Sequence, residues 1–182
     1  MKILIVKLSS LGDVVHTMPA VQDIRRALPQ AQIDWVVGRR FAPLVRRCKG
    51  VSRVIECELR RWRNSPLSRQ TRNEWKAFKS ELQREAYDAV IDLQGLTKSA
   101  LVAWLAHLAP GGKRYALANQ TDGSGYEAPT RWVADVAISI EPHSHAMQRS
   151  RGLCARALGY ELPATLSFGL LVQKETIHAA IK

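Results

Sequence analysis

The sequence predicts an α/β fold in which a parallel sheet carries helices on both faces. Three observations predict it. Short apolar, β-branched runs recur at residues 3–6, 33–37, 51–57 and 86–93. Most lack the strict alternation of a half-exposed strand, which marks strands buried on both faces. Segments of helical period separate the runs four or five times, and that order gives βαβ units with right-handed crossovers.

The chain opens with KILIVKLSSLGDVVHTMP, residues 2–19. Residues 3–6 form the first strand. Ser9, Ser10 and Gly12 break it. From Asp13 a helical period begins, with Val14, Val15, Met18, Val21, Ile24, Arg25 and Leu28 mostly on one face. Pro29 ends it. Residues 33–37 form a second strand closed by Gly38, residues 41–47 a short helix, and residues 51–57 a third strand with partial alternation. In RRWRNSPLSRQTRNEWK, residues 60–76, the Asn, Ser and Pro of the first half predict a loop. From about Thr71 the helical period resumes, with Trp75, Phe78 and Leu82 inward. Residues 86–93 form the next strand, broken by Gln94-Gly95. Residues 96–108 form an apolar helix ended by Pro110-Gly111-Gly112. Residues 114–117 give a brief strand and 118–131 a polar loop. Residues 132–140 suit a helix end or a strand. Residues 144–158 form a helix, with Ser144 as its cap and Gly159 just past its end. Residues 167–172 form a last strand before a helical tail to Lys182.

One domain accommodates the 182 residues. The 46% hydrophobic and 24% charged content is that of a soluble globular protein. Cys48, Cys57 and Cys154 are odd in number and scattered, which predicts reduced thiols in a cytosolic protein. No apolar run is long enough to span a bilayer, and the N-terminus enters a strand rather than a signal peptide. The net charge is +11, and residues 1–85 carry 18 Lys/Arg against 8 Asp/Glu. So local an excess predicts an anionic partner: nucleic acid, an anionic membrane or a phosphorylated small molecule. No helix-turn-helix, RNA-recognition or zinc-finger pattern supports nucleic acid.

Three constellations could carry chemistry. In parallel α/β sheets, ligands bind where strands end and helices begin. The first turn places Lys7, Ser9, Ser10, Gly12, Asp13 and His16 there. Asp13 reads as a general base at a cleft or, equally simply, as a first-turn helix acid. The turn is neither a Walker loop nor GxGxxG. The second constellation is Arg60, Arg61, Arg63, Arg69 and Arg72 after the third strand, with Trp62 able to stack on a sugar or lie at a membrane interface. It reads as an anion site or as a solvated basic loop. The third is Asp92, Gln94, Gly95, Lys98 and Ser99, where a helix start offers N–H groups to an anion; an ordinary strand-to-helix turn explains it as well. His143 and His145 lack the further ligands a metal site needs and read as loop or cap residues.

Taken together, KILIVKLSSLGDVVHTMPAVQDIRRALP, VIECELRRWR, YDAVIDLQGLTKSALVAWLA and HAMQRSRGLCARALGY closely resemble the lipopolysaccharide heptosyltransferases. The RRWR element and the DLQGLxKSA turn look most like the type I members, which add the first heptose to the Kdo-lipid A precursor. The resemblance covers roughly residues 2–160. It implies the N-terminal, acceptor-side half of a glycosyltransferase B fold, with about residues 160–182 connecting to a nucleotide-binding domain. It implies inverting transfer from ADP-heptose without a metal or other cofactor, to an anionic glycolipid acceptor in the membrane. It therefore places the protein in the cytoplasm at the inner face of the inner membrane, with no nucleic-acid partner. Asp13 matches the family's catalytic base. Lys7, Ser10, Gly12, Arg60, Arg61, Arg63, Gln94 and Lys98 match the acceptor side. Asn64 departs from the pattern, standing where related sequences carry another basic residue. The alternative reading is a non-catalytic anion-binding α/β module at a membrane or polyanion surface.

Overall fold

The computed structural model describes residues 1–171. The chain runs β1 (Lys2–Val6), α1 (Leu11–Ala27), β2 (Gln32–Gly38), a 3-10 turn (Arg39–Phe41), α2 (Ala42–Val45), β3 (Val51–Cys57), α3 (Leu59–Asn64) and α4 (Arg69–Leu82). It continues β4 (Ala86–Asp92), α5 (Thr97–Leu105), β5 (His107–Leu117), α6 (Pro129–Val133), β6 (Val136–Ile138) and α7 (Ala146–Leu158). The six strands form one sheet in the order β3-β2-β1-β4-β5-β6, and every pairing is parallel. This is the Rossmann order. Its reversal falls between β1 and β4, where the crevice of such sheets opens.

The two sheet faces bury separate cores. On one, Ile3, Ile5, Trp35, Val37 and Ile91 meet Val14, Met18 and Ile24 of α1 and Leu153 and Cys154 of α7. On the other, Leu4, Val6, Val36 and Val90 meet Trp62, Phe78, Leu82, Val102 and Ala103 of α3, α4 and α5. The central strands have no solvent face, which is why their sequences read as continuous apolar runs. β3 is an edge, so its burial alternates. Two ion pairs to buried carboxylates stitch this frame. Arg53 donates to Asp34 at 2.8 Å, and Tyr87 donates to the same oxygen at 2.9 Å. Arg151 of α7 forks onto Asp23 of α1 at 2.6 and 3.3 Å.

Several elements differ from expectation. Arg60, Arg61 and Arg63 lie on helix α3, not in a loop. Trp62 is buried, stacks edge-on against Trp75 and donates to Glu74 at 2.8 Å; its flat apolar ring completes the α3–α4 core instead of facing a sugar or lipid. Pro110-Gly111-Gly112 lies inside β5, which is far longer than a brief strand. Register slips there, and a Cβ on Gly112 would fall 2.4 Å from the Tyr87 carbonyl, so glycine lets the strand bulge against β4. Residues 132–140 hold both a helix end and a strand, α6 and β6. The cap of α7 is His145, whose ring accepts from the Met147 N–H at 3.3 Å, not Ser144. Gly159 ends α7 at φ 73°, as its type predicts. Among the described residues of the predicted last strand, Leu170 alone pairs, antiparallel with Cys48; the predicted helical tail lies outside the described residues.

Candidate functional site

The β1 turn and the β4 turn meet at the sheet's reversal. Lys7 follows β1 and is 3% exposed. Its Nζ crosses to β4 and donates to the Leu93 carbonyl at 2.9 Å. Asp13 Oδ1 stands 3.9 Å from that Nζ, with 30% of the Asp13 side chain exposed. Ser10 caps α1, which makes Asp13 the third residue of the helix. Asp13 Oδ2 accepts from the Ser10 backbone N–H at 3.0 Å and lies 3.3 Å from its hydroxyl. The cap reading of Asp13 holds for one oxygen, Oδ2, while the other faces the buried Lys7 cation.

The β4 turn is the scaffold for this arrangement. Gln94 Oε1 accepts from the backbone N–H groups of Leu8 and Ser9, each at 3.0 Å, and so fixes the path of the first turn. Asp92 is buried and organises its own loop, accepting from Gln94 N–H at 2.9 Å, Gly95 N–H at 3.2 Å and the Ser99 hydroxyl at 2.9 Å. Burial pushes its pKa up to about 6 against those bonds. Lys98 leans from α5 to the Ser9 hydroxyl at 3.3 Å. The start of α5 is not open to an anion as its sequence suggested. The Glu127 carboxylate already accepts from Thr97 N–H at 2.7 Å, and Ser99 Oγ accepts from Leu96 N–H. At the start of α1 Asp13 occupies the Ser10 N–H in the same way, and a Cβ on Gly12 would meet nothing within 4 Å.

Burial lowers the Lys7 pKa to about 8, with Asp13 and Asp92 opposing and Arg149 and Lys98 assisting. Arg149, on α7, was missed by sequence reasoning. It is 3% exposed and donates to Thr121 Oγ1 at 2.9 Å. Burial disfavours its charge and Asp13 supports it. No local pattern marks Arg149; only the packing of α7 on α1 brings it here. His16 turns toward α7, its ring 5.0 Å from that of His145.

Beside this cluster lies an open cleft of about 650 Å³, walled by Ser9, Ser10, Arg40, Arg60, Arg61 and Lys98 among others. Ser10 joins the cleft to Asp13. Arg60 is exposed, whereas Arg61 is engaged by Glu58 at 3.3 Å and by Glu74. Arg63 and Arg69 are exposed but do not line the cleft. Asn64 does, and adds no charge. Arg40 is the second residue missed; it lies two residues past the end of β2, so the strand-end rule that picked Arg60 applied to it too. Gly38 brings it close: its N–H donates to the Leu8 carbonyl at 2.9 Å, and a Cβ there would sit 2.8 Å from the same oxygen. Among the described residues, no three His, Cys, Asp or Glu side chains gather as a metal site.

The sequence profile of glycosyltransferase family 9 (heptosyltransferase) matches residues 75–180. The chain belongs to that family. Lipopolysaccharide heptosyltransferase 1 of Escherichia coli K12 is 43% identical over 166 residues, covering 91% of this chain and 50% of the relative. The Pseudomonas aeruginosa protein of the same name is 40% identical over 171 residues, covering 93% and 46%. The structure of E. coli heptosyltransferase WaaC with ADP superposes with a TM-score of 0.83 at 38% identity, over 93% of this chain and 51% of that one. E. coli ADP-heptose lipopolysaccharide heptosyltransferase II shares the fold alone, with a TM-score of 0.70 at 20% identity, over 98% and 49%. This family 9 chain thus spans about half the length of the relatives it matches.

Proposed function

We propose that the chain is the acceptor-side half of a heptosyltransferase that moves heptose from ADP-heptose to the Kdo residue of Kdo-lipid A. The observation that carries this reading is the Asp13 carboxylate at the start of α1, 3.9 Å from buried Lys7 and joined through Ser10 to a basic cleft. Family membership and the relatives' names supply the sugar. In the reaction, an acceptor hydroxyl loses its proton to Asp13 as its oxygen attacks the anomeric carbon. The carbon–oxygen bond to the diphosphate breaks, ADP leaves with the bonding pair, and configuration inverts. A positioned base contributes roughly 10²–10⁴-fold. Lys7 faces Asp13, Arg149 adds positive charge nearby, and Gln94 holds the turn that carries the carboxylate. Arg60, Arg40 and Lys98 present charge to the acceptor's anionic groups across the cleft. Contacts to the departing diphosphate are assigned to the half of the relatives' fold that this chain does not span.

The proposal also sets the protein at the cytoplasmic face of the inner membrane, where such an acceptor resides; among the described residues no helix is long and apolar enough to cross a membrane. The test is transfer by the whole protein from ADP-heptose to Kdo-lipid A, with and without Asp13→Asn. Product that forms in the wild type and not in the variant supports the assignment. Equal turnover in both removes Asp13 from the chemistry.

A further inference from the structure

The helical layer formed by α3, α4, α5 and α6 covers one core, yet its outer side is not an ordinary polar surface. On α5, Leu101 and Trp104 stand one turn apart, and Trp104 is 61% exposed. On α6, packed beside α5, Trp132 is 79% exposed. Leu67, at the turn between α3 and α4, is also among the most exposed apolar side chains. Large aromatics seldom stand so open, and those of a soluble surface are usually covered or functional.

The charges around them decide what kind of partner fits. Arg63, Arg69, Arg72, Lys76, Lys98 and Arg131 are all exposed on this layer. Its carboxylates are fewer than its cations, and each already has a partner. Glu58 and Glu74 engage Arg61, Glu81 engages Arg53, and Glu127 accepts from Thr97. The excess charge of the layer is positive. A protein interface core usually excludes charge and keeps it to a rim. Indole rings interspersed with unpaired Lys and Arg instead match a bilayer's interface, where rings sit at headgroup depth and cations meet anionic lipid. Lys98 belongs to this layer and to the cleft wall, so the surface is continuous with the candidate site.

We propose that the outer side of α3–α6 docks on an anionic bilayer, with Trp104 and Trp132 in the headgroup region, Leu101 beside Trp104, and Leu67 elsewhere on the same layer. This holds the cleft at the height of a lipid-borne acceptor. It deepens the reading of the acceptor as a membrane glycolipid and rests on that reading for its purpose, but its test needs no acceptor. The whole protein is sedimented with vesicles of phosphatidylglycerol and phosphatidylethanolamine, and with phosphatidylcholine vesicles as the uncharged control. The wild type is expected to bind the anionic vesicles, and to release as salt is raised. Trp104→Ser with Trp132→Ser should weaken binding by about tenfold or more, while turnover on a de-acylated, soluble acceptor is kept. Arg72→Gln with Lys76→Gln should weaken binding to anionic vesicles only. Brominated lipid should quench wild-type fluorescence and lose that part of the quenching in the double serine variant. Unchanged sedimentation of the serine variant overturns the proposal. So does a wild-type dimer, seen in the ultracentrifuge, that the serine variant dissolves, because the patch then joins copies of the protein. Vesicle binding as expected, with no heptose transfer, overturns the functional reading and leaves this surface standing.

Discussion

Replacing Lys7 by methionine separates what a buried cation costs from what it does. Lys7 faces Asp13 on α1, Asp92 at the end of β4, Lys98 on α5 and Arg149 on α7, and its pKa falls from 10.5 to about 8 because burial outweighs the two carboxylates. Between those two values the unfolded chain binds more protons than the folded one. Stability therefore rises with pH from about 8 to 10.5. The gap is worth about 3 kcal/mol. Methionine has nearly the same length and no charge, so its variant lacks that rise. It also leaves the Leu93 carbonyl without the Lys7 donor, a loss of about 1 kcal/mol. At pH 7 the variant should then be more stable than the wild type by about 2 kcal/mol, with the sign reversing above pH 10. The assay is urea unfolding of both proteins from pH 6 to 10.5, read as their difference so that tyrosines and thiols cancel. Turnover of the whole protein should fall despite the gain, since Asp13 loses its buried counter-charge. Two parallel stability curves would refute the reasoning and make Lys7 an ordinary solvated lysine.

Other outcomes follow from the same geometry. Asp13→Asn keeps an oxygen for the Ser10 N–H, so melting should barely move while turnover drops roughly 10²–10⁴-fold; Asp13→Ala should lose the same activity and, in addition, about 0.5–2 kcal/mol of stability. Arg60→Ala should cost acceptor affinity about 1.5–3 kcal/mol without lowering the melting temperature. Arg61→Ala should lower the melting temperature, because Arg61 ties Glu58 to Glu74; calorimetry and acceptor titration separate the two. Asp92→Asn should abolish a stability loss that the wild type shows as pH rises from about 4 to 6, since the folded carboxyl keeps its proton longer than the unfolded one; Asp92→Ala should destabilise at every pH. Residues 1–182 alone should fold and show no turnover, and product from purified chain would contradict that.

The central strands were legible because burial on both faces leaves no alternation to misread, and α1 because its apolar stripe keeps a 3.6 period. The candidate site's location follows from one rule, that ligands gather where parallel strands end. Where the reading failed, a long-range contact had overruled local chemistry. Gly111 and Gly112 promise a turn, but β4 offers a register that a bulged β5 can join. Trp62 sits in a polar, basic stretch, yet its neighbours 13 and 16 positions on, Trp75 and Phe78, form a pocket for it. The α5 start looks like an anion site until Glu127, from a loop with no recognisable pattern, fills it. Arg149 could not have been found at all, since both arginines of HAMQRSRG turn inward and nothing in the stretch says which of them reaches the first turn.

The Gln94 side chain sets an order on the making of the protein. Its oxygen serves two N–H groups that lie 86 and 85 positions earlier in the chain. A ribosome that has released β1 and α1 has delivered Asp13, but the turn that aims it still lacks its brace. β4 must then be synthesised, pass β2 and β3, and insert on the far side of β1 before the brace arrives. Long-range pairing of this kind is slow compared with helix formation. The carboxylate is thus present early and aimed late, so a nascent chain stalled within α4 would carry Asp13 without the turn that positions it.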